Sequence, residues 1–288
     1  MRLIAYQGPD GPRAAIATDR GPVALNEVAT ARDLAFPLAV EELVASGRVD
    51  ELRRWLADHP DVLHEAPRLS GQLQPAPLLR RPPKILGVGL NYAEHAGDLG
   101  ETRPDEPATF MKPATTIIAA GETIRIPRQS QRTTGEGELG LIIGRQCKGV
   151  AEKDAPEVLA GVTTIVDMTA EDILQRNPRF LTRAKSFDTF LALGTELVTL
   201  DELGDVADLE VTTVHNGEAA RHNTVANMLH SPWKLVAFFS QVMPLEPGDV
   251  ILTGTPGAVV LNDGDRVGCS IPGVGEFSCP VADLKVEG

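Results

Sequence analysis

The run Thr134-Gly-Glu-Gly-Glu-Leu-Gly-Leu-Ile-Ile-Gly144 decides how the rest of the chain is read. Glu136 and Glu138 stand two apart, just ahead of the apolar residues Leu139, Leu141, Ile142 and Ile143. Side chains two apart on a strand leave the same face, so both carboxylates point into one space. Adjacent anions repel unless a cation or a shared proton lies between them. An all-oxygen cluster suits Mg²⁺, Mn²⁺ or Ca²⁺ better than zinc. The pair therefore points to a hard divalent-metal site, although a solvent-facing strand edge would carry the same triplet. Gly135, Gly137 and Gly140 weaken a strand in which they have no packing role, and the sequence shows no structural return for them. These residues also spell GxGxxG, but the run leads into a strand and carries carboxylates where a pyrophosphate would lie.

The chain has 288 residues, enough for one large domain with a small companion or for two modest domains. A net charge of −13 opposes nucleic-acid and anionic-membrane partners. Cys147, Cys269 and Cys279 are odd in number and make no C-x-x-C pair, which predicts free thiols and a reducing, cytoplasmic location. No apolar stretch has the length of a signal core or a membrane span. P-loop and G-x-S-x-G patterns are absent, which removes support from nucleotide-dependent and serine-hydrolase chemistry.

Short strands separated by Gly-Pro turns are expected at Arg2 to Gln7, Ala14 to Thr18 and Pro22 to Leu25, followed by helices over Leu38 to Ala45 and Val49 to Ala57. His59 and His64 read as surface or cap residues. The proline-rich run 74–83 is a linker candidate, dividing a small N-terminal domain, 1–80, from a larger domain, 81–288. Beyond it, β-type runs at 84–90, 116–119, 139–143, 161–166, 209–216, 249–252 and 267–271 outnumber helical patterns at 155–160, 171–176 and 233–242. This predicts a β-rich α+β fold instead of a doubly wound sheet.

Four further groups carry possible chemistry. On a helix begun near Tyr92, His95 and Asp98 would share a face, as a general-base dyad or as a surface ion pair. Asp167 follows a buried-looking strand and can cap a helix or serve as a third metal ligand. Lys185, followed by Phe187 and Phe190, can supply a partly desolvated ammonium to an oxyanion. Thr253-Gly-Thr-Pro256 is a donor-rich loop able to take a carboxylate, or simply a turn.

In order, Gly87-Val-Gly-Leu-Asn-Tyr-Ala-Glu-His95, Phe110-Met-Lys112-Pro, Glu136-Gly-Glu138-Leu, Asp167-Met-Thr-Ala, Ala184-Lys-Ser-Phe-Asp188, Val214-His-Asn-Gly217 and Gly248-Asp-Val-Ile-Leu-Thr-Gly-Thr-Pro256 resemble the fumarylacetoacetate hydrolase family. The likeness covers roughly 84–285, and 1–80 is similar to the small N-terminal α+β domain of longer members. The resemblance implies a mixed β-sandwich or roll, usually a homodimer, with Mg²⁺ or Mn²⁺ held by Glu136, Glu138 and Asp167. It implies His95 as base oriented by Asp98, and Lys185 with Thr253, Gly254, Thr255 and Pro256 meeting a small anionic 2-oxo acid. The leading reaction expected is metal-dependent hydrolysis of a C–C bond in an acylpyruvate or 1,3-dicarbonyl acid, with tautomerisation, isomerisation or decarboxylation of a 2-oxo acid as the alternative. A catalytically impaired oxo-acid-binding protein is the alternative of another class.

Three positions depart from the family pattern. Asp98 stands where glutamate is frequent, and Glu171 where arginine is common. The glutamine expected three residues later falls on Leu174, with Gln175 one place on. An acid at 171 would repel a substrate carboxylate, and Arg176, Arg179 or Arg183 are candidates to restore the positive charge.

Overall fold

The computed structural model describes residues 1–31, 35–92 and 105–286. At its centre the strand Thr133–Ile143 pairs antiparallel with Leu159–Ala170, from Thr133 opposite Ala170 to Ile143 opposite Leu159. Both strands run well past the apolar cores that mark them in the sequence. Glycine, threonine and carboxylate residues extend the ladder because it is their backbone groups that pair.

A large mixed sheet spreads from this pair. On one side lie Val250–Leu252 and Ala258–Val260, then Ile85–Gly89 and Ala108–Met111. On the other, Leu159–Ala170 takes up Leu191–Leu193 and Glu196–Val198. Arg2–Gly8 pairs with Glu196–Val198 and turns back into Gly11–Ile16. The N-terminal hairpin is therefore hydrogen-bonded into the sheet that carries the acidic residues. Of the expected helices before the linker, Val40–Ala45 and Val49–Asp58 form, with Leu52 and Leu56 buried.

A second sheet orders Glu218–Thr224, Glu210–His215, Arg266–Ile271, Gly275–Asp283 and Ile124–Ile126. It presses on the back of Thr133–Ile143, and this overturns the reading of the glycines as lacking a structural return. A Cβ at Gly137 would sit 3.0 Å from the Thr213 Cα and 3.0 Å from the Thr212 carbonyl oxygen, and one at Gly135 would sit 3.0 Å from Val267. One face of the central strands packs Leu139, Leu141, Val166 and Met168 against Val211 and Val267. The other packs Ile142 and Ile165 with Leu3, Ile16, Leu43 and Leu52. Apolar cover on both faces explains why the sequence there is continuously hydrophobic instead of alternating.

The helix expected over 155–160 is instead a 3₁₀ segment, Glu152–Val158, that passes into the strand at Leu159. Pro156 within it has no amide hydrogen to continue an α-helix. The helices Glu171–Arg176 and Leu181–Lys185 follow the long strand and turn the chain back toward it. All three cysteines are free thiols. Among the described residues no helix is long and apolar enough to cross a membrane.

Candidate metal and substrate site

The strand register builds the site. Glu136 lies directly opposite Asp167, and Glu138 is one same-face step along the strand. One carboxylate oxygen from each of the three lies within 4.8 Å of the others. Glu136, Glu138 and Asp167 are 9%, 2% and 0% exposed, so the cluster belongs to the interior. Burial, with the Asp167 charge next in weight, pushes Glu138 well above the usual carboxylate range. A buried group of hard oxygen donors with charge to spare fits a divalent cation, whose oxygen ligands lie at about 2.0–2.6 Å.

Two ammonium groups meet the cluster. Lys185, at the end of its short helix, donates to Asp167 Oδ2 at 2.5 Å and Glu136 Oε2 at 3.1 Å, with Nζ 4.5 Å from the centre of the Phe110 ring. Lys112 donates to Asp167 Oδ1 and, at 3.1 Å, to the Met168 carbonyl. Burial opposes ionisation of Asp167, but the charges and hydrogen bonds of Lys112 and Lys185 outweigh it and hold this carboxyl below its ordinary value. Burial lowers Lys112 to about 8 despite the attraction of Asp167. Lys185 is raised: burial disfavours its charge, but Asp167 and Glu136 more than compensate. Sequence reasoning assigned no role to Lys112. Its only signal was a place in the Phe-Met-Lys-Pro run, 55 residues from its partner. Thr169, whose hydroxyl donates to Glu136 Oε2 at 3.1 Å, was likewise missed.

The Thr253–Pro256 loop is turned toward the protein. Thr253 Oγ1 donates to the Leu139 carbonyl at 2.8 Å, Thr255 Oγ1 to that of Gly257 at 3.1 Å, and Pro256 is buried. The Gly254 N–H donates to Glu138 Oε2 at 2.7 Å. Gly254 has φ +93°, and a Cβ there would lie 2.8 Å from Asn91 Cβ, so glycine is required. Asn91 secures the loop: its Nδ2 donates to the Thr253 carbonyl at 2.7 Å and to that of His230 at 3.0 Å, and its Oδ1 accepts from the His230 N–H at 2.9 Å. On the opposite face Thr213 Oγ1 accepts from the Gly137 N–H at 2.9 Å and donates to the Gly257 carbonyl at 3.1 Å.

His95 and Asp98 lie outside the described residues. Glu171 is engaged, with Arg132 Nε donating to it at 2.9 Å and Gln175 Nε2 at 2.7 Å. Arg176 is tied to Asp172 at 3.2 Å, while Arg179 and Arg183 are exposed. The register thus brings Glu136, Glu138 and Asp167 together, and hydrogen bonds join Lys185, Gly254 and Lys112 to them.

A mixed α+β fold with a buried acidic triad and paired lysines defines a class, and residues 84–282 match the fumarylacetoacetate (FAA) hydrolase C-terminal family. The chain belongs to this family. It is 34% identical to the human mitochondrial oxaloacetate tautomerase FAHD2A over 96% of its own length and 90% of that protein's. It superposes on 5-carboxymethyl-2-hydroxymuconate delta-isomerase from Mycobacterium smegmatis with a TM-score of 0.72 and 30% identity, covering 98% and 99% of the two chains. Maleylpyruvate hydrolase from Sphingobium sp. SYK-6, crystallised with manganese(II) and pyruvate, gives a TM-score of 0.79 and 26% identity over 98% and 99%. Family membership thus marks the chain as one of the enzymes that process small oxo acids.

Proposed function

We propose that this protein is a Mg²⁺- or Mn²⁺-dependent enzyme that moves a proton on a small anionic 2-oxo acid, interconverting keto and enol forms. The observation that carries the reading is the pairing of two buried lysines with three buried carboxylates. Three anions and two ammonium groups leave a formal charge of −1 at the centre, which a dication converts to +1. A centre with net positive charge in a water-poor interior attracts an anionic acid and favours the charge that develops on its 2-oxo oxygen.

Glu136, Glu138 and Asp167 would hold the ion, which when bound supplies Lewis acidity to the 2-oxo acid. Lys185, slightly exposed, is placed to donate to the substrate oxygen, and Lys112 behind it keeps Asp167 ionised and turned inward. Gly254 and Asn91 fix Glu138 and its neighbouring loop in position. His95, oriented by Asp98, is proposed as the base that carries the proton. Near-full-length likeness to a tautomerase and to an isomerase supports proton transfer as the leading reaction. C–C hydrolysis of an acylpyruvate is the second reading, favoured by likeness to a hydrolase that binds manganese and pyruvate.

Enol absorbance of oxaloacetate and of an acylpyruvate series, followed with Mg²⁺ or Mn²⁺ and then with chelator, tests both. Metal-dependent equilibration without new products is the expected result. Release of pyruvate and a free acid would move the assignment to hydrolysis, and absorbance that ignores both protein and metal would reject the enzyme reading.

A further inference from the structure

We propose that Phe110 is a positioning residue that keeps the Lys185 ammonium at the centre while the carboxylates are shared with a dication; this rests on the reading of the centre given above. Phe110 is the one buried residue of the edge strand Ala108–Met111. It lies opposite Gly87, and a Cβ at 87 would fall 2.2 Å from the far end of its ring. Any side chain at 87 would displace the ring, so glycine there leaves the place that Phe110 fills. Lys185 Nζ stands 4.5 Å from the ring centre, within the roughly 6 Å at which an aromatic face attracts an ammonium. Phe110 and Lys185 are 8% and 7% exposed, and this attraction is strongest where water is excluded.

The oxygens that hold Lys185 have a second use. Lys185 donates to Asp167 Oδ2 and Glu136 Oε2, and both residues belong to the acidic triad. A dication drawn to these carboxylates weakens their hold on the ammonium and repels it as a like charge. The ring face is no rival for the ion, because hard dications take oxygen ligands. The contact with Phe110 therefore outlasts loading and keeps the ammonium beside the 2-oxo oxygen. The bracing is reciprocal. Phe110 stands two residues before Lys112, whose Nζ lies 5.9 Å from the ring of Phe190, five residues after Lys185. Each lysine is faced by a ring from the other's segment, and both ammonium groups meet at Asp167.

The test replaces Phe110 by mono-, di- and trifluorophenylalanine, which keep the outline of the ring while draining negative charge from its face. Phe110→Leu and Gly87→Ala are measured beside them. Each protein is assayed for turnover of oxaloacetate with Mn²⁺, for calorimetric binding of Mn²⁺ and then of pyruvate, and for melting temperature. kcat/KM should fall stepwise with fluorine number, to about a tenfold loss at three, with kcat moving more than KM. Phe110→Leu should lose at least as much, and Gly87→Ala, which crowds the ring, should lose activity in the same way. Pyruvate affinity of the Mn²⁺-loaded protein should fall in the same order but less, while Mn²⁺ affinity is not weakened. Activity and pyruvate affinity that stay flat across the fluorinated series, or that follow melting temperature instead of fluorine number, would overturn the proposal. Failure of the metal-site reading shows separately, as absence of Mn²⁺ binding by wild type. Wild type that binds Mn²⁺ and pyruvate without turning over oxaloacetate would fail the reaction reading alone, and the pyruvate series would still decide on Phe110.

Discussion

At the scale of single residues, two buried side chains give opposite lessons. Lys112 is 4% exposed, and its ammonium neutralises an equally buried Asp167. Replacing it by methionine leaves Asp167 with one fewer cation, and breaking a buried pair costs roughly 3–5 kcal/mol. Urea unfolding of Lys112→Met at pH 7 should show a loss of that order, and a loss within error would mean that Lys185 alone satisfies Asp167. His230, also 4% exposed, has both ring nitrogens buried with no hydrogen-bond partner among the described residues. Burial, helped by Lys234, holds its pKa below the ordinary 6.5. The unfolded chain then binds the extra proton first, so stability attributable to His230 is complete above that value and is lost as pH falls through it. Urea midpoints between pH 5 and 7.5 should slope less in His230→Gln than in wild type; equal slopes would contradict the account.

At the scale of elements, the acidic strand is sandwiched, and its glycines set how closely the second sheet approaches. Gly137→Ala places a methyl against the backbone of Thr212 and Thr213, where neither contact can rotate away. Overpacking of this kind costs about 1–3 kcal/mol. The variant should also lose activity beyond what its folded fraction explains, because Glu136 and Glu138 flank the displaced residue. Activity and melting temperature both at wild-type values would show that the sheets yield.

Alternation along a strand made the shared face of Glu136 and Glu138 legible, but their grouping with Asp167 came only from the family resemblance, since a lone aspartate at a strand end serves equally as a helix cap. The register is what places Asp167 opposite Glu136. Lys112, Asn91 and Thr213 were hidden for the opposite reason. Each acts across a tertiary contact, and a lone lysine, asparagine or threonine in a local window has many commoner uses. The glycines were visible, but their purpose was not, since the strand pressing on them lies about 75 residues away, at Thr213.

On the scale of the whole molecule, the buried centre of three carboxylates and two lysines carries one formal unit of the net charge −13, and metal should stabilise the fold by relieving the repulsion among those carboxylates. An ion that binds only the folded state contributes about 2.7 kcal/mol at a hundredfold excess over its dissociation constant, or roughly 5–10 °C in melting temperature. Mn²⁺ should raise the melting temperature of wild type, chelator should reverse the rise, and Asp167→Asn should abolish it. A rise that persists in Asp167→Asn would place the ion elsewhere.

The pairing of Arg2–Gly8 with Glu196–Val198 bears on how the chain is made. The hydrogen bonds around Met1 and Thr199 span 198 residues, and that from Gly254 to Glu138 spans 116. On a ribosome adding about 5–20 residues per second, the first strand leaves the exit tunnel tens of seconds before its lateral partner exists. Its outer edge is an open template for mispairing throughout that interval. The longer synthesis takes between the hairpin and residue 198, the longer that edge stays open to mispairing.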